Sequence, residues 1–317
     1  MKIRFFPTII GAIICVFIFT IDYFQFSLIE KFLVFAIFVI LPLIILLIEN
    51  KDQTDLQKKI YTLIKVFHFP AALLSLASLM GNKTWEMGNS VFSGSLSLAW
   101  LLFTFLLALY GVLLVIVKKE KIEEIAIGAG LIYFFIGGIW FTLYQFQLTF
   151  LQVDPTVSAL SAVHFHFSSA IVPIFIGMLG RILVIKSWYH WLVIVDIIGP
   201  ILIAIGIVVS KPLEMIGVSI FAFNIFIYCT YLLLKMRKNM EKSYGNLFLT
   251  LSSIAFYSII VLSICYPIAK LFFSITIMDM IPIYGTLHAF GFVLFGLLGW
   301  ILVRNSPHIR KRQIVHT

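Results

Sequence analysis

Charged side chains are scarce in this sequence, since only 12% of its 317 residues are Asp, Glu, Lys or Arg. A typical soluble domain has about 25% charged and about 45–50% apolar residues, whereas 62% of these residues are hydrophobic. The shortage of charge excludes a soluble globular protein, and the polar gaps between apolar runs are too short to fold alone. The sequence therefore predicts an all-α, polytopic membrane protein with a single transmembrane helical domain over residues 1–317.

Several chemical signatures are missing as well. The three cysteines lie in apolar segments without CxxC spacing, which is typical of small buried hydrophobic residues. The chain has no Walker A loop, no GxGxxG motif that opens a helix, and no HExxH or HxxxH pair. These absences argue against ATP-driven transport by this chain alone. The net charge of +9 comes without basic clusters interleaved with aromatic residues, so nucleic acid is not expected as a partner.

Long apolar runs occupy most of the chain instead. A transmembrane helix needs about 20 apolar residues, within a range of about 17–25, and this criterion predicts about ten spans. Their approximate limits are 5–21, 28–48, 61–80, 95–117, 121–147, 156–180, 188–209, 212–235, 246–272 and 282–303. The basic start of the first run resembles a signal sequence, but no small-residue cleavage site follows, so we interpret this run as an uncleaved helix.

The basic residues between the spans predict their orientation. If the N-terminus is cytoplasmic, the predicted outer segments contain only Lys31, Lys83, Lys211 and Lys270, while most other lysines and arginines lie inside. Cytoplasmic loops of membrane proteins carry such an excess of Lys and Arg. We therefore predict that both termini face the cytoplasm.

The stretch "AVHFHFSS" places two histidines inside the sixth predicted span. Residues two positions apart lie about 200° apart on a regular helix, so His164 and His166 are predicted to face different neighbours. His164 shares its face with Ser168, whereas His166 continues into a row of small residues that favours close helix packing. His288, in the tenth span, is predicted at a similar depth in the outer half of the membrane.

Three further polar residues are predicted in the outer half. Tyr144 and Gln145 lie at the end of the fifth span, and Tyr284 precedes His288 by one helical turn. Together with the three histidines and Ser168, they form the candidate group for substrate binding or gating. Tyr144 also fits the alternative role of an aromatic residue at the membrane interface.

The inner half contains a second group of ionisable residues. Asp196 lies in the seventh span, and Lys65 and His68 lie in the third at a similar predicted depth. An ionisable residue within a span is costly and indicates a functional site. We predict that Asp196 pairs with Lys65 or His68, either as a proton relay or as a structural ion pair. Gly199-Pro200 is predicted to interrupt the Asp196 helix.

The histidines are also compatible with a metal or haem site. His164 and His288 lie on different helices and are candidate ligands for a metal ion or for a haem. They supply only two ligands, and the identity of any cofactor stays open at this point.

Two segments resemble the YndJ-like family of bacterial membrane proteins. "LSAVHFHFSSAIVPIFIGMLGR" at 160–181 is similar to the family's "TAVHFHYAGF" segment, and "YGTLHAFGFVLFGLLGW" at 284–300 is similar to a later family segment. The resemblance is strongest over residues 140–303. It departs from the family pattern at Tyr284, where a histidine is expected, and at His288, where an asparagine is expected. The resemblance implies a multi-pass membrane protein of transporter type.

Taken together, these features favour a small-solute or proton-coupled transporter with a histidine site in its outer half. Two alternatives stay open, namely an intramembrane metal- or haem-dependent enzyme that uses the same histidines and a non-catalytic partner in a membrane complex. The expected partners are the lipid bilayer, a small-molecule or ion substrate, and other copies or chains in an oligomer. The abundance of Ile, Phe and Lys favours a bacterial cytoplasmic membrane.

Overall fold

The fold is known from a computed structural model that describes residues 6–21, 23–50, 52–84, 90–150, 153–183, 185–236, 243–269, 273 and 276–305. Within these ranges the regular secondary structure is helical, and the one β-type pairing described is an isolated bridge between Phe150 and Val153. The predicted all-α class is confirmed.

The described helices follow the predicted spans in order. We number them α1 (Phe6–Ile21), α2 (Leu28–Phe35, Ala36–Ile40 and Leu41–Ile48), α3 (Asp55–Thr84), α4 (Ser90–Val117), α5 (Ile122–Gln145), α6 (Pro155–His164, Phe165–Ser169 and Ala170–Gly180), α7 (Ser187–Val209), α8 (Lys211–Tyr231 and Leu232–Met236), α9 (Tyr244–Ala269) and α10 (Ile277–Thr286, Leu287–Leu294 and Phe295–Arg304).

Length and composition support the prediction of a multi-pass protein. Among the described residues, nine helices, α2 to α10, are long and apolar enough to cross a membrane, while α1 is a shorter apolar helix. Helix α3 is longer than the predicted span 61–80 because polar turns extend it at both ends, from Asp55 to Thr84. Apolar patterning marks the part of a helix that lies in lipid, not the point at which the helix ends.

The predicted interruption at Gly199-Pro200 is wrong. Helix α7 runs continuously from Ser187 to Val209 with Pro200 inside it. Proline is tolerated in transmembrane helices when local adjustment satisfies the carbonyl that its missing N–H leaves free. Pro70 likewise lies inside the continuous helix α3.

Four π-helical segments occur among the described helices: those in α2, α6 and α10 lie within the helix, and that in α8 is its last segment. Two of them carry candidate histidines, since Phe165–Ser169 contains His166 and Leu287–Leu294 contains His288. A π-turn shifts the backbone hydrogen bonds by one residue, and such turns occur frequently at functional sites. The sequence pattern does not predict these turns.

The chain divides into two compact units, Met1–Ile174 and Phe175–Thr317, and we describe each by itself. In the first unit, Gly111 of α4 meets the backbone of Gly128 in α5. In the second, Gly299 of α10 meets Leu249 of α9. A side chain at either glycine would collide with the facing helix, so small residues allow close helix packing in both units.

Candidate functional site

His166 forms hydrogen bonds with both of its ring nitrogens. Its Nδ1 donates to the carbonyl oxygen of Ala162 at 2.7 Å, and its Nε2 accepts from the indole Nε1 of Trp100 at 3.0 Å. The side chain is fully buried. A Cβ atom at Gly137 of α5 would lie only 2.6 Å from Nδ1. Helix α5 can therefore pack against the imidazole ring because residue 137 has no side chain. These contacts fix the tautomer and make His166 a bridge between α4 and α6.

An aromatic row extends from His166 through the first unit. The ring of Trp100 lies 5.9 Å from that of His166 and 6.4 Å from that of His68. His68 is buried, and its Nε2 donates to the carbonyl oxygen of Ile37 at 2.9 Å. Ile37 lies in the π-helical segment of α2, where the backbone pattern is shifted. His68 therefore bonds to a carbonyl within the π-helical segment of α2. His166 bonds to a carbonyl that lies just before the π-helical segment of α6.

His164 differs from His166 in its bonding. Its Nε2 is buried, and no hydrogen-bond partner for it exists within the part of the chain that the structure describes. Its ring lies edge-on to that of Phe165 at 5.9 Å. The two histidines of the motif thus have different surroundings, as their angular separation on the helix predicts. Ser168 lies half-buried in the π-turn that follows.

Glu30 is the centre of a polar cluster that the sequence analysis missed. It is buried, and its carboxylate lies 3.1 Å from Nζ of Lys83. The hydroxyl of Tyr144 donates to it at 2.9 Å, and the backbone N–H of Ser27 donates at 2.7 Å. Ser27 and Glu30 together form a capping box at the start of α2, and this pattern could have been found as Ser-x-x-Glu before an apolar run.

Gln145 lies next to Tyr144 in sequence and joins α5 to α3. Its Oε1 accepts from Nδ2 of Asn82 at 2.6 Å, while its buried Nε2 has no hydrogen-bond partner among the described residues. The structure therefore brings Tyr144 and Gln145 together with Glu30 and Lys83. Because Asn82 and Lys83 are neighbours in α3, this polar cluster ties three helices of the first unit together.

Asp196 lies in the second unit and is fully buried, with 0% of its surface exposed. Neither carboxyl oxygen has a hydrogen-bond partner within the described ranges. An ionised carboxylate in such surroundings is strongly disfavoured, and buried acids avoid the cost by taking up a proton or by pairing. Asp196 is therefore a buried acid for which the described residues supply no compensating partner.

Two buried tyrosines lie in the same unit as Asp196, and one of them, Tyr228, interacts electrostatically with Asp196 and with Tyr189. Its hydroxyl oxygen accepts from the indole Nε1 of Trp300 at 2.9 Å. The hydroxyl of Tyr189 donates to the carbonyl oxygen of Ile176 at 2.8 Å. The second unit thus contains further buried polar groups besides Asp196, and neither carboxyl oxygen of Asp196 bonds to a described residue.

The remaining candidates of the second unit lie in α10. The hydroxyl of Tyr284 lies 2.9 Å from the hydroxyl of Ser263 in α9. His288 is half-buried in the π-turn one helical turn later, and its ring lies 5.5 Å from that of Phe292. Tyr284 therefore makes a polar contact between α9 and α10.

Lys65 is exposed, and its ammonium group lies 4.9 Å from the ring centre of Tyr61. The predicted pairing of Asp196 with Lys65 or His68 joins residues of both units and stays a prediction. The same applies to a metal or haem held by His164 and His288. Among the described residues, no group of three or more His, Cys, Asp or Glu side chains is arranged to hold a metal ion.

Comparison with known proteins adds one family and one curated relative. The family described as YndJ-like protein matches residues 31–292. The "Uncharacterized membrane protein YndJ" of Bacillus subtilis (strain 168) is 37% identical over 221 residues, which cover 68% of this chain and 39% of that protein. The matched region is thus about two fifths of the relative's length. No solved structure matches the chain.

Proposed function

This chain belongs to the YndJ-like family of membrane proteins, and from that premise we propose that it is a proton-coupled transporter of a small solute. Asp196 is the group that carries the proton. The outer-half residues form the gate and substrate group, and they are His164, Ser168, Tyr144, Gln145, Tyr284 and His288. Within this proposal, His166 holds α4 and α6 together, since both of its ring nitrogens are already bonded.

The proposal rests on the burial of Asp196 without a bonding partner among the described residues. Placing Asp at the centre of a transmembrane helix costs about 2.5–3.5 kcal/mol by insertion measurements. Packing alone does not require that cost, because an apolar residue of similar size would fill the same space. A neutral buried acid is useful where another conformation exposes it, since it then releases the proton that it carried.

Proton release is coupled to solute movement because Asp196 is buried in one conformation and exposed in the other. In the conformation described here the acid is protonated and uncharged, so it can lie in an apolar core. Once a conformational change brings water or a cation to it, the ionised form becomes favourable and the proton leaves. We propose Lys65 or His68 as the partner that stabilises the ionised carboxylate in that second state. Movement of the solute is then tied to one proton per cycle.

Reconstituted vesicles test this function. The internal pH is read with trapped pyranine after a potassium diffusion potential is imposed with valinomycin. Amino acids, sugars, carboxylates and monovalent cations are added one class at a time. The wild-type chain is expected to acidify the vesicles with one of these classes, and Asp196→Asn is expected to abolish the response.

Asp55→Asn is the matched control, since it makes the same chemical change at an exposed carboxyl on α3, which pairs only with Lys58 one turn away in the described part of the chain. It should keep the full response. Equal proton movement by wild type and Asp196→Asn would contradict the assignment of Asp196.

A further inference from the structure

A groove of about 540 Å³ runs along the second unit between α7 and α8. It extends along α7 from Trp188 to Val195, about two helical turns or about 11 Å. Its walls are almost entirely apolar, and Trp191 and Phe223 are among the most exposed large side chains that line it. Its shape and polarity suit a section of an acyl chain.

One end of the groove is marked by an aromatic pair. The rings of Trp188 and Tyr231 lie 4.8 Å apart, where the start of α7 meets the end of α8. Trp and Tyr are enriched at the level of lipid head groups. The excess of lysine and arginine on the predicted inner side places this end of both helices at the cytoplasmic boundary.

Positive charge collects at the same end. Lys186 directly precedes α7, and Lys235 lies one turn beyond Tyr231 in α8. Both are exposed. Lys186 is the N-cap of α7 and makes no side-chain capping bond, so the positive end of the helix dipole adds to the two ammonium groups.

We propose that this groove is a binding site for an anionic phospholipid of the inner leaflet. One acyl chain lies between Trp191 and Phe223, and the phosphate group lies between Lys186, Lys235 and the start of α7. The apolar groove alone gives little selectivity, because bulk lipid is as apolar as the groove. Selection among lipids therefore comes from the charged head group, and basic pockets between transmembrane helices bind such head groups.

The size of the preference follows from the charges. A lysine close to an anionic lipid surface contributes about 1 kcal/mol, and 1.4 kcal/mol corresponds to a factor of ten. Two lysines therefore give about a 30-fold preference for phosphatidylglycerol over phosphatidylcholine of the same chain length. Loss of one lysine should reduce this preference about fivefold.

The test is a titration of the detergent-purified full chain with both lipids, followed by native mass spectrometry of the lipid adducts. Wild type should prefer phosphatidylglycerol about 30-fold, and Lys186→Gln/Lys235→Gln should bind both lipids alike. Lys118→Gln/Lys119→Gln removes two lysines from another predicted cytoplasmic loop and should keep the preference. Ser219→Phe, which fills the groove, should weaken binding of both lipids.

Three results would overturn the proposal. The first is an unchanged preference in Lys186→Gln/Lys235→Gln, which would remove the head-group site. The second is an equal loss in Lys118→Gln/Lys119→Gln, which would mean general attraction to a basic surface. The third is displacement of phosphatidylglycerol by glycerol 3-phosphate at equal concentration, which would identify a site for a soluble phosphate. Because none of these variants changes Asp196, the result is independent of the proposed transport activity.

Discussion

The indole N–H of Trp100 donates to Nε2 of His166 across 3.0 Å inside the first unit. That bond requires Nε2 to be unprotonated, and Nδ1 is then the nitrogen that donates to Ala162. The ring is consequently neutral and held from both sides. His166 stabilises the contact between α4 and α6, and a ligand can reach its Nε2 only by displacing Trp100.

The coupling between Trp100 and His166 can be measured with a double-mutant cycle. Each of Trp100→Phe and His166→Phe leaves one buried polar group of this pair without its partner, which costs about 1–3 kcal/mol. The double variant removes both partners, so its loss of unfolding free energy should be smaller than the sum of the two by about 0.5–2 kcal/mol. Unfolding in mild detergent provides the free energies, and strictly additive losses would contradict the bond.

The two histidines of the motif should respond differently to the same substitution. His164→Phe removes a ring nitrogen that already lacks a partner among the described residues, so no hydrogen bond is lost and the cost of an unsatisfied polar atom is removed. His166→Phe should lower the unfolding temperature clearly, while His164→Phe should leave it unchanged or raise it slightly. Equal unfolding temperatures for the two variants would contradict the different bonding of His164 and His166 in the structure.

Removal of the buried acid should stabilise the protein while it abolishes function. Asp196→Val replaces an unbonded polar group by an apolar one of similar volume, and the expected gain in unfolding free energy is about 1–3 kcal/mol. Functional sites commonly carry such a cost in stability. Asn224→Val is the comparison, because the side chain of Asn224 donates to the Leu192 carbonyl oxygen at 2.9 Å in the same unit. The Asn224→Val variant loses this bond and should be less stable than the wild type. A less stable Asp196→Val would indicate that the acid has a bonding role.

Removing Lys83 and removing Glu30 from their ion pair should cost different amounts of unfolding free energy. The side chain of Glu30 is 1% exposed and that of Lys83 is 30% exposed, so the lysine can turn to water when its partner is neutralised but the carboxylate cannot. Lys83→Met should therefore lower the unfolding free energy more than Glu30→Gln, by about 1 kcal/mol or more. Lys58→Met, at an exposed pair with Asp55, is the control and should have no measurable effect. Equal losses at Glu30 and Lys83 would contradict this reading of the cluster.

Most of the fold could be predicted from the sequence, because lipid imposes a simple rule on it. Runs of apolar residues must be helical in a membrane, and the predicted spans correspond in order to the described helices. The ends of α3 could not be predicted from hydropathy, since the helix continues past the apolar run. The continuity of α7 through Pro200 depends on how local geometry satisfies one carbonyl, which no residue pattern encodes.

The candidate site was predicted less completely. Asp196 and the histidines were recognisable because a polar residue within an apolar run is conspicuous. The angular separation of His164 and His166 also correctly predicted different surroundings. Trp100 gave no signal, because a tryptophan within a span usually packs or faces lipid. Glu30 was overlooked because it lies at the start of a span, where an acid is common, and its contacts to Lys83 and Tyr144 join residues far apart in sequence.

The central claim is that Asp196 carries a proton inside the protein, and infrared spectroscopy measures this most directly. Protein reconstituted in lipid at neutral pH should show the carbonyl stretching band of a protonated carboxylic acid in a dry environment. That band should disappear in Asp196→Asn and persist in Asp55→Asn. If the wild-type and Asp196→Asn spectra show the same protonated-acid signal, Asp196 is ionised in this conformation and the proposed coupling is wrong.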